Sequence, residues 1–254
     1  RLTDPDKMNA AQWHFAGPTR PVEELFDCQK DPHNLNNLAD SKEHQEALER
    51  LRKEHKRHIR RTVDLGFLPE SEAWALFEGS SGWEMGQGGK VPVGPSQKAA
   101  AQVGVSEEGA FLKNLSSKDA NVRYWGAIGL AALKDKPSGK ALKKLKATLK
   151  DSSAAVRIEA ANALATHDDV KTALPALLKD LAHENLIIVT HAARTIELLG
   201  KKAASTAPQM RKALIRAEKI RPPDLSPVIV LPGDKDLAMF VAFSCQAFLD
   251  KLKK

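Results

Sequence analysis

The residues of this chain that could do chemistry are few and scattered. Its two cysteines, Cys28 and Cys245, lie in different segments without C-x-x-C spacing, which argues for two separate thiols and against a redox pair or a thiolate metal site. His55 and His58 stand one helical turn apart and could share a metal ion, but no cysteine, aspartate or third histidine beside them completes a tetrahedral set. His167-Asp168-Asp169 falls where a helix should end and reads as turn chemistry rather than an acid/base pair. There is no G-x-S-x-G and no H-E-x-x-H. The glycines between Gly79 and Gly89 follow no strand and precede no Lys-Ser/Thr, so they make no phosphate loop. The chain by itself is therefore expected to be non-catalytic, with no catalytic, metal or cofactor residues of its own.

The stretch with the most information is Arg20 to Ala39. Pro21 opens a segment anchored by Val22, Leu25 and Phe26, and reads as a strand. Asp31-Pro32 starts a tight turn, since aspartate accepts a local backbone hydrogen bond and proline presets φ. Asn36 and Asn37 offer side-chain acceptors and tolerate left-handed backbone before Leu38-Ala39 leads into a helix.

These residues resemble the C-terminal signature of the sulfatase family, close to P-x-E-E-L-Y-D-L-x-x-D-P-x-E-x-x-N-L-A. Pro21, Glu23, Glu24, Leu25, Asp27, Asp31, Pro32, Asn37, Leu38 and Ala39 match, with Phe26 in place of tyrosine and Cys28 in place of an aliphatic residue. The phrase Gly66-Phe67-Leu68-Pro69-Glu70 resembles the same family. The resemblance implies an alkaline-phosphatase-like α/β hydrolase whose small C-terminal subdomain carries the motif. It also implies hydrolysis of sulfate esters or sulfamates on sulfated carbohydrate, with calcium and a formylglycine made from the Cys or Ser of C/S-x-P-x-R. No proline here has Cys or Ser two positions before it. The nucleophile and calcium ligands would thus belong to an upstream catalytic domain, the implied partner of this chain. Periplasmic or extracellular localisation is implied by the same resemblance. The chain begins with Arg1, and no signal-peptide pattern follows, so it is expected to be a piece of a longer parent with the targeting segment elsewhere.

Composition sets the remaining bounds. The 254 residues have room for one or two domains and carry a net charge of +7. That charge permits polyanion binding, although acidic residues are interspersed nearly throughout. No apolar run approaches the ~20 residues a membrane span needs. Asp40 and Glu43 suggest a capping box for a helix from about Ser41 to Arg61. Its basic run, Arg50, Arg52, Lys53, Lys56, Arg57, Arg60 and Arg61, reads as a solvated face in preference to a polyanion strip. A short helix is expected over Glu70–Phe77, and the breaker-rich residues 79–95 read as a linker or surface loop.

From about Ser96 the sequence repeats. Asp119 through Val122-Arg123, then Gly126-Ala127, is echoed by Asp151 through Val156-Arg157, then Ala160-Ala161. Ile188-Val189 with Ala192-Ala193, and Phe240-Val241 with Ser244-Cys245, form weaker third and fourth copies. Each follows an apolar helix, such as the one bearing Phe111, Leu112 and Leu115. The small pairs let helices approach closely, and Asp119 and Asp151 are placed to cap a helix or pair with an arginine. The pattern resembles HEAT repeats, which implies stacking into a solenoid. Pro222, Pro223, Pro227 and Pro232 predict an extended excursion over Leu225–Leu231 in the last unit.

The predicted fold class is mainly α: a short α+β strand-turn-helix segment, then a HEAT-like α-solenoid of about four helix pairs. The expected divisions are 1–70 for the sulfatase-like segment, 71–100 for a short helix and linker, and 101–254 for the repeats. The repeats would bind or dock a protein or a sulfated polysaccharide, either within a sulfatase or as a free-standing interaction scaffold. Nucleic acid is disfavoured as a partner, because Lys134, Lys136, Lys140, Lys143, Lys144, Lys146 and Lys150 spread around a helix and its preceding loop with no interleaved aromatics.

Overall fold

The computed structural model describes residues 7–17, 20–89, 91–221 and 234–253. It is mainly helical and gathers into two compact units, Arg1–Thr62 and Val63–Lys254.

In the first unit, α1 (Ala10–Ala16) is closed by a capping box between Asn9 and Gln12. Residues 20–41 carry no regular element, a 3-10 turn follows at Lys42–His44, and α2 runs over Gln45–Thr62. The predicted strand is a difference: no strand forms among the described residues. A strand requires a backbone partner for its N–H and C=O groups, and here a side chain takes most of that role. Asn37 donates to Glu23 O at 3.0 Å and accepts from Leu25 N at 2.9 Å, while Leu38 N donates to Leu25 O at 2.7 Å. The predicted Asp40/Glu43 capping box also differs. The turn begins at Ser41, whose hydroxyl lies 2.9 Å from His44 Nδ1, and the Gln45 amide donates to the Ala39 and Ser41 carbonyls. α2 buries Leu48 and Ile59 and leaves its charged residues in solvent, the arrangement expected of an amphipathic surface helix.

The second unit opens with a 3-10 turn at Leu65–Phe67 and then α3 (Glu70–Phe77), as its sequence predicts. Residues 79–95, read above as linker, instead hold α4 (Gly82–Gln87) and the start of α5 (Val93–Ala100). The reason is local: Glu84 N donates to Ser81 Oγ, and Ser81 N donates back to the Glu84 carboxylate, so two orphan amides at the helix start are satisfied reciprocally. Leu68, Ala73, Val91 and Val93 bury together with Phe77 and Met85 in a small core of their own.

The solenoid follows as four helix pairs: α6 (Glu108–Asn114) with α7 (Ala120–Ala131), α8 (Gly139–Thr148) with α9 (Ala154–Thr166), α10 (Val170–Leu181) with α11 (Leu186–Leu199), and α12 (Ala207–Ile220) with α13 (Asp234–Leu252). The second helices stack in the order α7, α9, α11, α13, and α5 packs on the α7 end of that row. Phe111, Leu145, Ile158, Leu177, Ile196 and Phe248 lie in one continuous core. Each such side chain contributes ~1.5–3 kcal/mol on burial. Close approach within the first pair depends on glycine. A Cβ at Gly129 would fall 2.1 Å from the Phe111 ring, and one at Gly126 would fall 2.8 Å from the Leu115 nitrogen. Val189 and Val241 are buried where the first two copies carry arginine. The predicted extended stretch Leu225–Leu231 lies outside the described residues. No described helix is long and apolar enough to cross a membrane.

Candidate binding surface

The ten motif residues of the first unit occupy one hydrogen-bonded loop. Asp27 Oδ1 accepts from Gln29 N and Lys30 N, and Asp31 Oδ2 accepts from Asn36 N at 2.7 Å, which closes the turn that holds Pro32. Glu23 meets the Arg52 guanidinium through both carboxylate oxygens, linking the loop to α2. Glu24 meets Arg20 at 2.6 Å. Asn37 joins Glu23, Leu25 and Ala39 through its side chain, so this loop is held by aspartate and asparagine side chains and by two ion pairs. Hydrogen bonding from Arg52 holds the Glu23 carboxyl below the usual glutamate range despite partial desolvation. The backbone amide of Lys30 is the main cause of a similarly lowered Asp27.

In the repeats, Val122 and Val156 occupy the same position in α7 and α9, and the arginine after each ties its repeat to the next. Arg123 Nε and Nη2 donate to Asp151 at 2.7 and 2.8 Å, and its Nη1 reaches the Ser117 and Lys118 carbonyls. Arg157 repeats the arrangement one unit on, donating to Asp180 at 3.2 and 2.5 Å and to the Asp151 and Ser152 carbonyls. Asp119 caps α7 by accepting from Asn121 N, whereas Asp151 both receives Arg123 and accepts from Ser153 N. Burial raises the Asp151 pKa. The Arg123 hydrogen bond, the Ser153 amide and nearby guanidinium charge outweigh that effect and leave it below the usual aspartate range. Asp180 is the partner that sequence reasoning missed. Its signal is the recurring Lys-Asp pair of Lys118-Asp119, Lys150-Asp151 and Lys179-Asp180, one per repeat.

His167, Asp168 and Asp169 engage three separate partners: the Leu130 carbonyl, Lys202 and Lys146. Asp168 takes positive φ at the end of α9, which fits a helix-terminating turn. Cys28 is exposed and Cys245 buried, with its thiol pushed up to about 12 by desolvation and by the Glu197 charge. A formylglycine cannot arise at either cysteine, since neither has proline two residues on. Among the described residues no three His, Cys, Asp or Glu side chains converge as a metal site would require.

The second-helix face carries a polar set absent from the sequence expectations. His191 Nε2 lies 2.8 Å from Glu159 Oε1, and Asn162 donates to the other Glu159 oxygen at 3.1 Å. The Tyr124 ring packs edge-on to both His191 and Trp125. Burial, reinforced by the Glu159 charge, raises the Tyr124 hydroxyl far above its usual range, so it remains a neutral donor and acceptor. Trp125, Glu159 and His191 fall at matching positions in successive repeats, two residues after Arg123, Arg157 and Val189, and this register is the signal that could have found them. The segment before the repeats docks on the same helices. Trp125 Nε1 donates to Phe67 O at 2.8 Å, Ser153 Oγ donates to Glu72 at 2.6 Å, and α3 packs on α9 and α11. The Gly66–Glu70 phrase is thus built into the solenoid unit.

Of the seven lysines considered above, Lys140, Lys143 and Lys144 come together on the side of α8 that faces α6, where they line a groove of about 560 Å3 with Lys113. Lys146 turns away to Asp169, and Lys150 lines an adjoining recess of about 330 Å3 with Arg123 and Lys144.

Residues 109–197 match the family of HEAT repeats, in agreement with the paired helices α6 to α11. The chain is also similar to an ulvan-active sulfatase of Formosa agariphila, with 44% identity over 72 residues. That match takes in 28% of this chain and 12% of the enzyme, so the chain spans a small part of the length of this relative. No solved structure matches the chain.

Proposed function

We propose that this chain is the non-catalytic C-terminal portion of a sulfatase that hydrolyses sulfuric esters or sulfamates on sulfated carbohydrate, with the HEAT-like repeats as its binding and docking module. The observation that carries this reading is the 44% identity to a sulfatase over 72 residues, in a chain with no C/S-x-P-x-R of its own. The motif resemblance over residues 20–39 points the same way. Calcium, the formylglycine and the sulfate-gripping groups belong, on this reading, to an upstream catalytic domain. Export to the periplasm or the cell exterior follows from the same reading.

The test is to read the coding frame upstream of Arg1 and to express the whole parent. The reading requires a C/S-x-P-x-R motif in frame and release of inorganic sulfate from ulvan, abolished when the Cys or Ser of that motif becomes alanine. A frame that starts within a few residues of Arg1, or a parent that releases no sulfate from any sulfated carbohydrate, overturns it. In that case the HEAT match over residues 109–197 leaves a free-standing interaction scaffold as the function.

A further inference from the structure

We propose that the groove between α6 and α8 is a binding site for a sulfated polysaccharide chain. Its walls are cationic: Lys113 on one side, and Lys140, Lys143 and Lys144 on the other. Positions 140, 143 and 144 share one helix face, because residues three and four apart project together. The adjoining recess shares Ser116, Lys144 and Ala147 with the groove and adds Lys150, while the Arg123 that also lines it is neutralised by its ion pair with Asp151. The basic track therefore follows α8 from Lys140 and ends at Lys150 just past it, roughly 15 Å away.

Two features separate this track from an ordinary solvated face. The first is pairing. Among the described residues Lys113, Lys140, Lys143, Lys144 and Lys150 make no ion pair, whereas Lys146 on the same helix pairs with Asp169 at 2.8 Å. The groove's nearest carboxylate on α6, Glu108, is occupied at 2.6 Å by the amide and the hydroxyl of Ser138. The second is shape. These charges line recesses with Leu112, Ala147 and Ser116 between them, so an anionic chain could lie along them with partial desolvation, where each contact is worth more than on an open surface.

The lining also favours a glycan over other polyanions. No aromatic side chain lines either recess, so there is no stacking platform of the kind that holds single-stranded nucleic acid. Lysine ammoniums supply movable point charges for scattered monoanionic groups, and the Ser116 hydroxyl and aliphatic patches suit sugar hydroxyls and ring faces. The choice of sulfate as the anion rests on the sulfatase reading, while the groove and its charge do not.

The experiment is titration of the full chain with ulvan, desulfated ulvan and single-stranded DNA, for wild type, a Lys140→Gln/Lys143→Gln/Lys144→Gln variant, and an Arg50→Gln/Lys53→Gln/Lys56→Gln variant on α2. The replaced groove lysines are exposed or half-buried, and both triple variants should melt as wild type does by circular dichroism. The groove variant should bind ulvan about tenfold or more weaker, and its salt slope should fall by roughly two, as loss of three charge contacts dictates. The α2 variant should stay within about twofold of wild type by the same counting. Equal weakening in both variants, no weakening in the groove variant, or DNA or desulfated ulvan bound as tightly as ulvan overturns the proposal. Absence of the C/S-x-P-x-R frame would overturn the sulfatase reading and leave these binding outcomes unchanged.

Discussion

Replacing Asp180 by asparagine or alanine should cost more stability than almost any other single change in the repeats. The Asp180 side chain is 1% exposed and that of Arg157 11%, so the pair is buried. Asp180→Ala removes one charge and leaves the guanidinium held in place by the Asp151 and Ser152 carbonyls at 2.8 and 3.0 Å. An uncompensated buried charge of this kind costs about 3–5 kcal/mol. Removing both partners for apolar residues of similar volume, Arg157→Met with Asp180→Leu, should recover most of that loss, because the desolvation of two ions disappears with them. Urea unfolding followed by circular dichroism gives both numbers. In a stack where each repeat contacts only its neighbours, the single variant should also broaden or split the transition at the α9/α11 boundary. A loss under ~1 kcal/mol for Asp180→Ala, the usual range of exposed pairs, would refute the reasoning. So would a double variant as destabilised as the single one.

Other perturbations address the remaining elements. Asn37→Ala deletes the side-chain bonds to Glu23 O, Leu25 N and Ala39 N, and should cost ~1–3 kcal/mol, seen as faster amide exchange of Leu25 and Ala39 while the repeats keep theirs. Gly129→Ala should destabilise by ~1–3 kcal/mol or more in a thermal melt despite the better helix propensity of alanine, since its methyl would meet the Phe111 ring. The lowered carboxyls of Asp151 and Glu197 predict acid sensitivity. A folded pKa below the unfolded one gives stability that is complete above the ordinary carboxylate range and is lost as pH falls through that range to the folded value. The urea midpoint should therefore hold from neutral pH to about 5 and drop below about 4, and Asp151→Asn should flatten that drop.

The solenoid was legible in the sequence because its cause is periodic. Small and apolar residues recur at a spacing of 32 to 34 residues over the first three copies, with Val-Arg in the first two, and a unit that cannot bury its own face must stack. The helix pairs α6/α7 and α8/α9 and the Asp119 cap of α7 needed nothing more, whereas the expected Asp40/Glu43 cap did not form. What tertiary structure decided is which groups meet. The segment opened by Pro21 had the composition of a strand, yet one backbone bond, from Leu38 N to Leu25 O, is too little for a ladder, and the Asn37 amide takes up the Glu23 carbonyl and the Leu25 amide. The glycine-rich residues 79–95 looked like linker because breakers act locally, whereas the Ser81/Glu84 cap and burial of Val91 and Val93 outweigh them. Asp151 and Asp180 were equally visible as residues, but only stacking assigns each to the arginine of the preceding repeat. The seven lysines likewise read as a diffuse charge until α6 packed beside α8 and selected three of them to line a groove. Sequence fixes charge and period, and the distances between repeats, which decide pairing and recognition, exist only once the helices have packed.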